Sequence, residues 1–273
     1  MAQIIWRNKK IFYDVKGDGA PVMLVHGFAE NGKVWDEMVS ELSGNFKIIV
    51  PDLPGSGTSE FVDEELRMTD YADALAAIVR AEINSERETF TMIGHSMGGY
   101  IALAFADKHP ELLNGLGLFH STSFADTPDK KKSRLSAITE IQAKGKTEYL
   151  KNSLPKLFSE HSRNHFPEMI DNLIKLAEET KKEALVQYQQ AMMNRKDRQN
   201  LLKSTNIPVI FIQGVEDSAI PVEDGLKQAH MPGICHFHLL ERSGHFGMWE
   251  EKEKCAKILF KYLHSANNPA QNL

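Results

Sequence analysis

Cysteine is scarce in this sequence: the 273 residues contain only Cys235 and Cys255. Both have apolar neighbours, so the sequence favours reduced, buried packing residues over a disulfide or a nucleophile. Apolar runs near the ~20 residues of a membrane-spanning helix are also missing, and residues 1–10 hold no apolar segment of signal-peptide length. These absences predict a cytoplasmic protein without a membrane span.

Positive charge is in deficit too. The formal net charge of -5 excludes a dedicated nucleic-acid-binding protein, which normally carries a basic surface. The charge is uneven, because residues 126–204 hold 16 Lys and Arg against 11 Asp and Glu, whereas the rest of the chain holds 16 against 26. This shift in composition indicates an inserted subdomain. Within it, the run at 130–132 is interpreted as a solvated start of a helix.

Motifs for cofactors and metals are missing as well. The stretch at 55–57 reads Gly-Ser-Gly but lacks the lysine of a phosphate-binding loop. The stretch at 235–238 reads Cys-His-Phe-His, and in a strand its side chains alternate between faces and do not converge on one ion. The sequence therefore predicts neither a cofactor nor a metal.

What the sequence does contain is a regular alternation of apolar and amphipathic segments. A predicted hairpin over 4–15 is followed by strand patterns at 21–25, 46–50, 88–93 and 112–119, with helical patterns between them at 33–42, 69–84 and 100–109. Such alternation predicts an α/β fold with a mostly parallel sheet and helices on both faces.

This alternation stops after the sixth strand. Four helical patterns follow, at 131–143, 147–158, 167–178 and 181–193, before strands resume at 207–212 and 235–240 and a helix at 246–264 ends the pattern. The predicted organisation is a core domain formed by 1–120 and 206–265, a helical subdomain at 121–205, and a frayed tail at 266–273.

The most informative stretch is Gly94-His95-Ser96-Met97-Gly98, which has the spacing G-x-S-x-G between a predicted strand and a predicted helix. A strand that turns directly into a helix crowds its backbone, so only glycine is tolerated on either side of the apex. The turn would expose the Ser96 hydroxyl beside free backbone N–H groups at a helix N-terminus. Ser96 is therefore the candidate nucleophile.

A serine needs a base to take its proton and a carboxylate to orient that base. Among 11 histidines, His245 follows the last predicted strand, where parallel sheets gather catalytic groups. Asp217 follows the strand at 207–212, with Glu216 as a solvated neighbour and Asp126 as the weaker second candidate. The chain order Ser96, Asp217, His245 is that of α/β-hydrolases.

The backbone N–H groups of Phe28 and Met97 are the predicted oxyanion donors, since each follows a strand end in the sequence. A substrate pocket is predicted between the sheet and the inserted helices. Its predicted apolar lining favours apolar acyl chains, and it comprises Phe28, Met97, His120, Phe124, Leu154, Leu157, Met192 and Phe246.

These motifs together resemble the α/β-hydrolase superfamily over nearly the whole chain. The resemblance rests on His26-Gly27 followed by Trp35, the Asp52…Gly55-x-Gly57-x-Ser59 loop, the elbow at 94–99, and Gly214-x-x-Asp217-x-x-x-Pro221 with Ser243-Gly244-His245. The elbow is similar to those of carboxylesterases, monoglyceride lipases, enol-lactone hydrolases and carbon–carbon bond hydrolases. The resemblance implies that the insertion at 121–205 is a cap domain, which is the most variable part of the family.

The resulting prediction is a serine hydrolase that cleaves small or medium carboxylic esters through an acyl-enzyme, as a monomer or homodimer with a small-molecule substrate. Three alternatives stay open. They are a carbon–carbon bond or enol-lactone hydrolase, a thioesterase or acyltransferase, and a non-enzymatic ligand receptor on the same scaffold.

Overall fold

A computed structural model describes residues 1–83 and 88–267, and within these ranges eight strands form one sheet in the order β1-β2-β4-β3-β5-β6-β7-β8. The strands are β1 (Ala2–Trp6), β2 (Lys9–Lys16), β3 (Ala20–Val25), β4 (Phe46–Pro51), β5 (Phe90–His95), β6 (Leu113–Phe119), β7 (Val209–Gly214) and β8 (Cys235–Leu240). β1 and β2 form the predicted hairpin, β2 pairs antiparallel with β4, and the neighbours from β4 to β8 are parallel. The predicted α/β fold class is confirmed.

Helices cover both faces of this sheet. They are α1 (Asp36–Leu42), α2 (Met68–Glu82), α3 (Met97–Lys108), α4 (Pro128–Lys144), α5 (Lys146–Ser153), α6 (Glu160–His165), α7 (Pro167–Glu179), α8 (Lys182–Met193), α9 (Gln199–Ser204), α10 (Val222–Ala229), α11 (Gly247–Glu250) and α12 (Lys252–Asn267). α2 and α3 pack on one face, and α1 and α12 on the other. Residues along β3 alternate between these two cores, with Met23 and Val25 in the first and Val22 and Leu24 in the second. A strand buried on both sides has to be continuously apolar.

Helices α4 to α9, residues 128–204, lie between β6 and β7 and are called the helical insertion below. α8 attaches this insertion to the core. The Tyr188 hydroxyl donates to the Pro54 carbonyl at 2.8 Å, and the Tyr71 hydroxyl donates to Gln187 at 2.9 Å. Because β5, β6, β7 and β8 are parallel, their carboxyl ends lie at the same edge of the sheet, and the insertion follows β6 in the chain.

Helix boundaries differ from the prediction where local features interrupt the apolar period. The pattern at 147–158 is helical only to Ser153, because Pro155 lacks a backbone donor and the chain continues as a 3₁₀ turn over Leu154–Leu157. The pattern at 246–264 is split at Glu251, whose carboxylate accepts the Arg242 N–H at 2.9 Å. The short helices α6, α9 and α10 carry too few apolar repeats to have been predicted.

Other boundaries are shifted by a few residues. The helix predicted from residue 100 begins at Met97, directly after the serine. α12 continues to Asn267, two residues into the predicted tail, and residues 268–273 of that tail lie outside the described residues. The predicted end of the second helix at 84 also lies outside them. No helix in the described ranges combines the length and apolar character that a membrane span requires.

Candidate active site

Ser96 lies at the turn between β5 and α3 with φ 49° and ψ -114°, a conformation that is strained for a residue with a side chain. The flanking glycines make this turn possible. A Cβ on Gly94 would lie 2.3 Å from the Gly98 carbonyl oxygen, and a Cβ on Gly98 would lie 2.4 Å from the Val25 carbonyl oxygen. Backbone cannot yield at these distances, so the G-x-S-x-G spacing follows from the packing of β5, α3 and β3.

Replacing Gly98 with alanine is expected to lower the free energy of unfolding by about 3–4 kcal/mol, because the new Cβ overlaps backbone that cannot move aside. Urea denaturation measures this change. Gly44→Ala is the matched control, since a Cβ at Gly44 meets nothing within 4 Å. Equal stability of the two variants would contradict the steric origin of the glycine spacing.

Asp217 follows β7 and is fully buried at its carboxylate. Its Oδ1 accepts the backbone N–H groups of Ala219 and Ile220, both at 2.9 Å. Its Oδ2 accepts from the rings of His245 at 2.8 Å and His120 at 3.0 Å. Burial alone would raise the pKa of Asp217, but the two imidazoles outweigh it and hold that pKa well below its usual range. The carboxylate is therefore ionised and fixed.

His245 lies in the loop after β8, with its backbone N–H bonded to the Leu157 carbonyl at 2.7 Å. Because its Nδ1 donates to Asp217, its Nε2 is the nitrogen that stays unprotonated in the neutral ring. Burial by itself lowers the pKa of His245, but the Asp217 carboxylate raises it above its ordinary value. Ser96 and His245 line the same cavity, so a hydroxyl and a ring nitrogen able to accept a proton share one space.

His120 does not line the pocket as predicted. Its side chain is fully buried, with Nδ1 donating to Asp217 and Nε2 accepting the Gly247 N–H at 3.1 Å. Burial lowers the pKa of His120 to about 4, so the ring is neutral and acts as a second donor to the carboxylate. Its position directly after β6, at the same sheet edge as Asp217, is the signal that could have indicated this role.

A buried Glu30–His95 pair is a second feature that the sequence did not predict. Glu30 accepts the Gly27 N–H at 2.8 Å and contacts His95 Nδ1 at 3.0 Å. The other His95 nitrogen, Nε2, faces the His245 carbonyl at 2.8 Å, and because a carbonyl only accepts, Nε2 carries a proton. Burial would raise the pKa of Glu30, but His95 lowers it. Glu30 is therefore ionised, and its carboxylate lies against the Gly27 N–H and the His95 ring.

The backbone N–H groups of Phe28 and Met97 have no hydrogen-bond acceptor among the residues that the structure describes. Phe28 belongs to the wall of the cavity, and Met97 is the first residue of α3, directly after Ser96. N–H groups at the start of a helix carry partial positive charge. Both groups are available to an oxygen atom of a ligand.

The cavity that Ser96 and His245 line has a volume of about 280 Å³. Leu154, Leu157 and Met192 line it as predicted, whereas Phe124 and Phe246 do not. Phe246 instead stacks on Phe158 with ring centroids 4.9 Å apart, and the Phe124 carbonyl accepts from Arg195 Nε at 3.0 Å. The wall is also more polar than predicted, since it includes Glu30, Lys130, Ser133, Arg134, Tyr149, Ser153 and Gln189.

One group of side chains has the geometry of a metal site. Ligand atoms of His120, Asp217 and His245 all lie within 4.8 Å of one another. Both Nδ1 atoms already donate to the same carboxylate oxygen of Asp217, however. The hydrogen bonds account for the grouping, and a metal there would have to displace both ring protons.

Comparisons with known proteins agree with the fold. The sequence model of the family described as alpha/beta hydrolase fold matches residues 20–252. A 2-hydroxy-6-oxo-6-phenylhexa-2,4-dienoate hydrolase of Comamonas testosteroni is 25% identical over 267 residues, which is 93% of this chain and 91% of that protein.

Two solved structures are similar throughout. A thermophilic esterase from Thermogutta terrifontis, determined with malate bound, superposes with a TM-score of 0.89 at 27% identity and covers 94% of each chain. The enol-lactonase from Burkholderia xenovorans LB400 superposes with a TM-score of 0.87, covering 96% of this chain and 100% of that one. At 18% identity the second likeness shows the fold alone.

Proposed function

The chain belongs to the alpha/beta hydrolase fold family and is a hydrolase of that family, and from this premise we propose that it cleaves a carboxylic ester through an acyl-enzyme. The observation that carries the proposal is the 2.8 Å contact between His245 Nδ1 and Asp217 Oδ2, which leaves His245 Nε2 as the base in a cavity that also contains Ser96. The similarity to an esterase at 27% identity supports the same reaction.

In the first half of the proposed reaction, Ser96 Oγ attacks the ester carbonyl carbon and its proton passes to His245 Nε2. The carbonyl oxygen becomes an oxyanion that accepts from the N–H groups of Phe28 and Met97. Removal of one such donor typically costs about 3–4 kcal/mol of transition-state stabilisation. The tetrahedral intermediate then expels the alkoxide, which leaves as the alcohol with the proton from His245.

In the second half, His245 takes a proton from water, and the resulting hydroxide attacks the acyl-Ser96 carbonyl. Collapse of this second intermediate breaks the bond to Ser96 Oγ, which regains its proton from His245 as the carboxylic acid leaves. Asp217 stays ionised throughout and orients the ring. His120 and the Glu30–His95 pair act through other groups, since His120 donates to Asp217 and His95 donates to the His245 carbonyl.

A fluorophosphonate is expected to label Ser96 with one-to-one stoichiometry and to abolish hydrolysis of p-nitrophenyl esters in step with labelling. Intact-mass measurement followed by peptide mapping checks both. Ser133 lines the same cavity and serves as the internal control, because the structure gives its hydroxyl a bond to the Asp129 carbonyl at 3.1 Å and no imidazole. Labelling at Ser133, or full turnover by the labelled protein, would contradict the proposal.

A carbon–carbon bond hydrolase is the second candidate, favoured by the similarity over 93% of the chain to the dienoate hydrolase of Comamonas testosteroni. The same three side chains would serve, with a carbanion leaving group in place of an alkoxide. Parallel assays on a p-nitrophenyl ester and on 2-hydroxy-6-oxo-6-phenylhexa-2,4-dienoate separate the two. A kcat/KM for the dienoate far above that for every ester would replace the ester proposal.

A further inference from the structure

The lysine run at 130–132 divides into two environments in the structure. Lys131 and Lys132 are exposed on α4, as expected for the start of a solvated helix, but Lys130 is half-buried and lines the cavity of Ser96 and His245. Its Nζ reaches the Ala219 carbonyl at 3.4 Å. Among the described residues, no carboxylate lies within 4.0 Å of that ammonium. The sequence interpretation of this run therefore holds for two of the three lysines.

Arg134 lies one turn further along α4 and lines the same cavity, with a side chain that is 17% exposed. Its Nε donates to Asp126, and its Nη1 donates to Gln189 at 3.1 Å. Its Nη2 contacts Asp126 at 3.4 Å, which occupies one of the two hydrogens on that nitrogen. The other Nη2 hydrogen has no acceptor in the part of the chain that the structure describes.

The charges around Arg134 do not cancel. Asp126 is fully buried and also accepts from Arg195 at 2.5 Å, so two guanidinium groups share one carboxylate. The carboxylate on the cavity wall itself, Glu30, contacts the Gly27 N–H and the His95 ring, and among the described residues it makes no ion pair with Lys130 or Arg134. With Lys130 added, the wall formed by α4 carries a surplus of positive charge. A charge that is largely shielded from solvent, as that of Arg134 is, is costly to leave uncompensated, and a ligand of opposite charge would offset it.

We propose that this cavity takes substrates that carry a carboxylate in addition to the scissile ester, and that Lys130 and Arg134 bind that carboxylate. The inference rests on the proposed function, because it names the substrate class of the same site. The ammonium and the unoccupied Nη2 hydrogen supply the charge-assisted hydrogen bonds that a carboxylate prefers. Apolar side chains of Phe28, Leu154 and Leu157 also line the wall and suit the hydrocarbon between the two groups.

Two matched pairs of esters test the proposal. Monomethyl adipate and dimethyl adipate differ by a carboxylate in the acyl portion, and 4-acetoxybenzoate and 4-acetoxybenzamide differ by one in the alcohol portion. We expect kcat/KM to favour the anion by about 10-fold or more in at least one pair, because a hydrogen bond to a charged group contributes a factor of this order. We expect Lys130→Met and Arg134→Met each to reduce that ratio by about 10-fold.

Lys131→Met is the matched control and should leave the ratio as in the parent protein, because Lys131 is exposed and does not line the cavity. Arg134→Met leaves Asp126 paired with Arg195, so the fold should persist. Preference for the neutral ester in both pairs would overturn the proposal. So would Lys130 and Arg134 variants that slow both members of a pair equally, since that is the effect of a merely structural role.

A binding measurement separates failure of this inference from failure of the proposed function. If the parent protein hydrolyses no ester, the proposed function fails, and calorimetric titration of the Ser96→Ala protein with monomethyl adipate still tests the site. Binding that weakens about 10-fold in the Ser96→Ala, Lys130→Met protein would support the carboxylate site. Absence of binding at millimolar concentration would overturn it, and so would an affinity that is the same with and without the Lys130→Met substitution.

Discussion

The Ser96→Ala protein is expected to hydrolyse p-nitrophenyl acetate about 10⁵- to 10⁶-fold more slowly than the parent, with little change in its melting temperature. The substitution deletes one oxygen atom, and alanine meets the same backbone requirement at φ 49° that serine already meets. The hydrogen bond from the Ser96 N–H to the Phe119 carbonyl at 2.9 Å is retained. The loss should therefore lie in the chemical step and not in folding.

Steady-state and single-turnover kinetics, with differential scanning calorimetry beside them, check this expectation. Residual turnover above water should reflect the oxyanion donors and binding alone. Ser133→Ala removes a hydroxyl from the same cavity wall and should stay within a few-fold of the parent. A Ser96→Ala protein that keeps more than a hundredth of the parent rate would rule out the covalent mechanism.

The elbow could be predicted from the sequence because its two glycines have a fixed spacing around Ser96. Gly94 is required by an overlap within the elbow and Gly98 by the close approach of β3, and the G-x-S-x-G spacing records both requirements. Asp217 and His245 could also be selected, since each follows a strand and parallel strands bring their carboxyl ends to one edge. Their roles remain a proposal, but the structure places the two side chains 2.8 Å apart.

The features that could not be predicted depend on where a side chain turns after it leaves a strand or helix. His120 follows β6 as expected, yet only the structure shows its ring directed at Asp217 and not at the cavity. Glu30 and His95 are 65 residues apart and meet through tertiary packing. The spacing of apolar residues in the helical insertion predicts that α4 forms, but it does not predict how α4 is rotated about its own axis. That rotation decides that Lys130 and not Lys131 lines the cavity.

Asp217→Asn is expected to lower kcat for a neutral ester about 10⁴-fold while preserving the fold. An asparagine amide can donate to His245 Nδ1 and so favours the tautomer whose Nε2 carries the proton, which cannot act as a base. The substitution should also change the pH dependence. In the parent, Asp217 holds the pKa of His245 above its ordinary value, so kcat/KM should rise with pH through that raised pKa and then level off.

Without the carboxylate, burial is the largest remaining influence and lowers the pKa of His245, so the residual activity of Asp217→Asn should level off at a lower pH than in the parent.

Asp126→Asn is the informative comparison, because Asp126 is the other buried carboxylate that the sequence offered as the orienting acid. It binds Arg134 and Arg195 and has no contact with His245 in the described structure. Its loss should cost about 3–5 kcal/mol of stability, since it leaves buried guanidinium groups without a partner, but should leave the pH at which activity levels off in place. A pH profile that moves with Asp126 and not with Asp217 would transfer the orienting role to Asp126 and contradict the proposed proton path.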